Sequence, residues 1–270
     1  MNINLKSYNQ LKKNENFLKK TREIFKYYFI KLVNNRKFIL NDSSIFFPFY
    51  HHVFDDEIKN FNLQIKFLKN YGDFISYDDS IKLIKEGLYK KNIYFCLSFD
   101  DGFKNMINNV TEILLDFNIP ATYFIPTSFI DNNREDGGNI FFNNKNINID
   151  FLDWNDCKKI CSEKLFTIGS HSINHKLISR LSYEESLNEM KYSKKKIEEK
   201  LSIICDHFAP PLGDFIYSRD SKIAKEIGYK SISTTVRGKM DKNNRNIFFL
   251  YRHHFLANWE INYLKYFLSK

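Results

Sequence analysis

The run Tyr94-Phe95-Cys96-Leu97-Ser98-Phe99 is apolar and rich in aromatics, and it stops at Asp100, Asp101 and Gly102. So short a run, bounded by a turn signal, predicts a buried strand that carries two acids to its C-terminal tip. Gly102 permits a tight turn there, because it has no Cβ to clash at positive φ. Adjacent carboxylates repel when both are charged. The pair therefore needs water, a basic neighbour or a metal ion, or else it is a solvated Asp-Asp-Gly surface turn.

The rest of the chain alternates strand and helix. Strands are expected at 45–50, running into His51 and His52, and at 74–76, 121–125, 166–170, 203–208, 231–236 and 247–252. Helices are expected over 56–70, 78–87, 104–117, 154–163, 182–200, 218–227 and 259–268. Ser182 and Glu185 form a capping box, each side chain able to satisfy an orphan donor at a helix start. Residues 130–152 are rich in Asn, have no clear period and predict a long loop. Regular alternation implies a parallel sheet in one domain. A closed or nearly closed (β/α) barrel of seven or eight strands over 41–270 is the expectation, preceded by a helical arm over 1–40. In such barrels chemistry sits at the C-terminal strand ends, where the candidate residues fall.

Charge is unevenly placed. The net charge is +9, and residues 1–40 hold ten Lys or Arg against two acids. The remainder is close to neutral, which excludes a nucleic-acid-binding core with a basic folded face. Within 5–35, Leu11, Phe17, Leu18, Ile24, Phe25, Tyr28, Phe29 and Leu32 recur at helical spacings, with lysines between them. Such a helix either lies on an anionic membrane surface or packs outside the barrel with its lysines solvated. The four cysteines contain no Cys-x-x-Cys pair, so a thiolate zinc site and a disulfide framework are not expected. No secretory leader or bilayer-length apolar run is evident, so a cytoplasmic location, at the inner membrane face, is the expectation.

His171 and His175 stand four residues apart directly after a predicted strand. On a helical turn that spacing turns both rings to one side, as metal ligands require. With one aspartate they make a three-ligand site open to water, and the second aspartate can act as base.

These residues resemble a known family. Ser98-Phe99-Asp100-Asp101-Gly102 is similar to the first motif of the polysaccharide deacetylases, carbohydrate esterase family four. Gly169-Ser170-His171 through His175 resembles their second motif, and Ala209-Pro210-Pro211-Leu212-Gly213 their third. The resemblance spans roughly 45–255 and implies a distorted barrel that removes acetyl groups from sugars with a metal. It assigns Asp101, His171 and His175 to one divalent ion, with Zn2+ expected and cobalt, nickel or iron open. It makes Asp100 the general base and the Leu212 N–H the oxyanion donor, with Pro211 lining the groove.

Two departures follow. Ala209 occupies the position where the third motif carries an Arg, and no C-terminal Leu-x-His motif supplies the acid. Phe49-Tyr50-His51-His52 instead resembles an early segment of a permuted subgroup that includes poly-N-acetylglucosamine deacetylases, making His51 the candidate acid. Arg252 is the candidate replacement for the missing Arg near Asp100, counted with the substrate-binding residues. Trp154 could line a sugar groove or anchor packing. The implied reaction is removal of an N-acetyl or N-formyl group from an amino sugar, in a glycan or its nucleotide- or lipid-linked precursor. A silent glycan-binding barrel and a metal amidohydrolase acting on a non-sugar amide are the alternatives.

Overall fold

The computed structural model describes residues 3–13, 17–33, 38, 40, 43–87, 92–132 and 147–269. Seven strands form one sheet: β1 (Pro48–Tyr50), β2 (Leu97–Phe99), β3 (Ala121–Ile125), β4 (Phe166–Ser170), β5 (His207–Phe208), β6 (Ser231–Ile232) and β7 (His253–His254). Their spatial order is β6-β5-β4-β3-β2-β1-β7 and every pairing is parallel. A parallel bridge between Ser233 and Leu250 brings the chain after β6 against the chain before β7, so the sheet curls into a distorted barrel.

A three-stranded parallel sheet of Ser44–Phe46, Asp73–Phe74 and Ile93–Phe95 extends it. The pairings Ile45 to Tyr94 and Phe49 to Ser98 keep one register. The two sheets therefore share two strands that run on through Phe47 and Cys96.

Helices α1 (Tyr8–Lys13) and α2 (Phe17–Val33) precede the sheet, and α3 (Ile58–Lys69) and α4 (Tyr77–Glu86) link β1 to β2. Next come α5 (Asn105–Asp116), α6 (Thr127–Asn132), α7 (Trp154–Ser162), α8 (Tyr183–Leu201), α9 (Tyr217–Glu226) and α10 (Ile261–Leu268). The capping box at α8 is present: Ser182 Oγ accepts from the Glu185 N–H and Glu185 accepts from the Ser182 N–H.

Three expectations change. The strand placed at 247–252 instead pairs at His253–His254, where the N–H groups of His253 and Phe255 donate to the Phe47 and Phe49 carbonyls. The loop expected over 130–152 is bounded by α6 and by Ile147–Asn148, which pairs with Ile3–Asn4; residues 133–146 lie outside the described ones. The arm is two helices, with 14–16 and 34–37 outside the described residues. One face of α2 packs on the barrel. Ile30 is buried, Tyr27 meets Tyr263, and Lys26 lies over the Trp259 ring. Among the described residues no helix is long and apolar enough to cross a membrane.

Candidate active site

Side chains alternate across a strand, and that period selects the site. On β2 and its extension, Phe95, Leu97 and Phe99 face the helices, where Phe99 meets Phe61 and stacks on Tyr123. Cys96 and Ser98 face the barrel interior, with Ser98 Oγ accepting from the buried Tyr77 hydroxyl. Asp100 is next in the inward series. On the β1 side, Phe47 and Phe49 point inward, so His51 does too. Leu250, Arg252 and His254 form the inward series of β7, and Gly169 then His171 that of β4. Gly169 is required there, since a Cβ would sit 2.5 Å from the Phe124 ring.

Asp101 leaves the strand in the left-handed region, φ 73°, and so parts from its neighbour. Its Oδ1 lies 3.2 Å from His171 Nε2 and 3.0 Å from His175 Nε2. Burial alone would raise the Asp101 pKa; His51, His171 and His175 overcome that and hold it well below the usual range. His171 donates its Nδ1–H to the Ala209 carbonyl at 2.6 Å, which leaves Nε2 as the ring nitrogen facing the carboxylate. At 3.0 and 3.2 Å each ring nitrogen shares a proton or a cation with the carboxylate oxygen. The donor atoms all lie within 4.8 Å of one another, and two nitrogens with one carboxylate oxygen suit a zinc-like ion.

The two histidines do not share a helical turn. The chain from His171 to His175 is a loop in which Ser172 and His175 take φ 66° and 55°. Glu189 of α8 holds it: Oε2 accepts from the Ile173 and Asn174 N–H groups at 2.8 and 2.9 Å, and Oε1 from Asn174 Nδ2. The ring of Phe129 packs against His175.

Asp100 is buried and bound by Arg252, Nη1 to Oδ1 at 2.9 Å and Nη2 to Oδ2 at 2.8 Å. Burial would raise its pKa; Arg252, with His171 and His51, outweighs that and lowers it. Arg252 also donates to the Thr234 carbonyl and lies over the Phe49 ring. Its side chain is fully buried and its described partners are Asp100, Ser98, Thr234 and the Phe49 ring.

His51 Nε2 lies 3.8 Å from Asp101 Oδ2, and its Nδ1 lies 2.9 Å from His254 Nε2. Burial lowers the His51 pKa against the pull of Asp101 and Asp100. Burial, with His51 nearby, pushes His254 down to about 3.

The third motif reaches the site through the Ala209 carbonyl. Pro211 is buried, and Leu212, at φ 57°, turns its side chain to solvent. Trp154 donates from Nε1 to Asp131 at 3.1 Å and packs on the core, so its described contacts are those of an anchor rather than a groove wall. Sequence reasoning missed Glu189 and His254. Glu189 is one acid among several on a charged helix, and His254 gains meaning only from the strand pairing that sets it beside His51.

The family profile described as polysaccharide deacetylase matches residues 89–232. Among solved structures, the fold is similar to the Streptococcus pyogenes deacetylase PplD in complex with acetate. The identity is 20% over 84% of this chain and 98% of that one, with a TM-score of 0.67. It is similar to IcaB from Ammonifex degensii, at 17% identity over 79% of this chain and 92% of that one, TM-score 0.67. A de-N-acetylase from Aggregatibacter actinomycetemcomitans shares 18% identity over 83% of this chain and 100% of that one, TM-score 0.66. At these identities the likeness is one of fold. None of the curated protein sequences compared matches the chain. With the profile covering more than half of its length, and the first- and second-motif residues gathered at one end of the barrel, this chain belongs to the polysaccharide deacetylase family.

Proposed function

We propose that this protein is a metal-dependent carbohydrate de-N-acetylase, hydrolysing the N-acetyl or N-formyl group of an amino sugar. The observation that carries the reading is the Asp101, His171 and His175 cluster, flanked by a separately held Asp100 and by His51. The substrate class is a glycan or its nucleotide- or lipid-linked precursor, and the likeness to the permuted subgroup rests on His51 coming from the first strand.

A divalent ion held by Asp101, His171 and His175 would supply Lewis acidity to the acyl carbonyl and to a water. Asp100 takes the proton from that water. Arg252 occupies both of its oxygens in one plane, which keeps the carboxylate ionised and fixes its direction. The Leu212 N–H contributes to holding the oxyanion. His51, as the imidazolium, gives its Nε2 proton, on the nitrogen facing the cluster, to the departing amine and is left neutral, its Nδ1–H donating to His254 Nε2.

The test is metal analysis of the purified protein together with acetate release from N-acetylglucosamine oligomers. Near-stoichiometric metal and acetate release that stops on chelation are expected. Full activity after chelation, or normal turnover by Asp100→Asn with metal retained, would refute the scheme.

A further inference from the structure

Helix α2 packs one face on the barrel and leaves a second, apolar face largely exposed, with the Phe29 ring meeting Tyr266 of α10 edge-on. Glu23, Lys26, Tyr27 and Ile30 recur at three- and four-residue steps and lie toward the barrel, with Ile30 1% exposed and Tyr27 against Tyr263. On the opposite side, Phe25, Tyr28, Phe29, Leu32 and Val33 also recur at i, i+3, i+4, i+7 and i+8. They are 77%, 64%, 55%, 74% and 41% exposed. No other stretch of that length among the described residues exposes five large apolar side chains. A contiguous apolar stripe on a helix face marks a docking surface.

Charge selects the occupant. Between Glu23 and Asp42 the chain has no acid and four bases, Lys26, Lys31, Arg36 and Lys37. Arg22 and Lys31, on α2 itself, are exposed. A second copy would bring two arms together, each carrying ten bases and two acids, and the two would repel. An anionic lipid surface attracts this arm and accepts Phe, Tyr and Leu at headgroup depth. We propose that the Phe25, Tyr28, Phe29, Leu32 and Val33 face of α2 docks the protein onto an anionic bilayer surface, lying in its plane rather than crossing it.

The arm is fixed at the catalytic end of the barrel, which gives the docking a direction. Asp56, four residues beyond His52, accepts from the Tyr8 and Asn9 N–H groups and from the Ser7 hydroxyl. A cleft of about 870 Å3 between arm and barrel is lined by Tyr27 and Tyr28 on one side and by His52 and Asn60 on the other. Tyr28 therefore belongs both to the exposed stripe and to the wall of a cleft that reaches the neighbour of His51. Docking would set this end of the barrel beside the lipid. The inference itself is independent of the reaction proposed above.

The test is co-sedimentation of the full chain with vesicles of phosphatidylcholine alone and of phosphatidylcholine with phosphatidylglycerol. Sedimentation velocity without lipid runs alongside. The wild-type protein should pellet with the anionic vesicles and be released by salt. Phe25→Ser, Leu32→Ser and Val33→Ser combined should weaken that binding by about tenfold or more. Arg22→Glu with Lys31→Glu should weaken it comparably. All five residues lie on the exposed side, so the thermal midpoint and the hydrolysis of a soluble substrate should not change. Equal binding to both vesicle types, binding unaffected by the substitutions, or no binding at all overturns the proposal. So does a dimer that the serine variant dissolves in the absence of lipid binding, which would assign the face to a second copy.

Discussion

Arg252 and Asp100 meet as a two-bonded pair inside the barrel, guanidinium Nη1 and Nη2 at 2.9 and 2.8 Å from Oδ1 and Oδ2, with the guanidinium fully buried and the carboxylate 2% exposed. Removing one partner of such a pair leaves a buried charge uncompensated, at a cost of about 3–5 kcal/mol. Arg252→Met should lower the thermal midpoint accordingly and reduce kcat by about a hundredfold or more. Adding Asp100→Asn should restore part of the stability and none of the activity. The depressed pKa of Asp100 adds stability above the ordinary Asp value, lost as pH falls through the folded pKa. Thermal melts and steady-state kinetics on the single and double variants check both points.

His254 orients His51 through the 2.9 Å contact between ring nitrogens. His254→Phe keeps the stacking with Phe49 and removes the polar partner. Under the proposed mechanism we expect kcat to fall about tenfold with KM nearly unchanged, since the contact would fix the proton donor and not the substrate. A matched rise in KM would argue against this positioning role.

Glu189 holds the segment between the two histidines with two bonds to backbone N–H groups and a third to the Asn174 side-chain amide. Glu189→Ala leaves two N–H groups without their acceptor, costing about 1–3 kcal/mol. Loosening the loop should also weaken metal binding by about 10–100-fold, as supporting partners of metal ligands do. Competition with a chelator of known affinity measures it directly, without reference to turnover.

His253 is buried facing the helices, between Phe46 and Phe255, and neither ring nitrogen has a hydrogen-bond partner among the described residues. Burial, with Arg237 nearby, lowers its pKa to about 3. The unfolded chain takes up this proton below about pH 6.5 and the folded chain does not. The stability it contributes is therefore complete above that pH and falls by about 1.4 kcal/mol per unit as pH drops toward 3. His253→Phe should flatten the pH dependence of the unfolding free energy between about pH 6 and 4.5 by that slope. An unchanged slope would show that the ring is protonated in the fold.

Much of the architecture was legible because period-two and period-3.6 patterns are local. The helix over 105–116, the strands over 121–125 and 166–170, and the cap at Ser182 follow from neighbours within a few residues. The last strand was misplaced because Ile247 to Arg252 is as apolar as a strand, while hydrogen bonding to β1 begins only at His253. The His171 to His175 turn was read as helical from spacing. Its left-handed residues depend on Glu189, which lies on another helix.

The sequence by itself determined the residue types of the site and the strand tips that carry them, because alternation along a strand decides which side chains face inward. Only the tertiary structure decided who serves whom. Arg252 comes to Asp100, and His254 to His51, because β7 pairs beside β1 and closes the barrel. Asp100 and Asp101, adjacent in the chain, separate because Asp101 turns to positive φ while Asp100 continues inward to a buried guanidinium. That pairing joins residues about 150 positions apart, and no local pattern encodes a contact at that range.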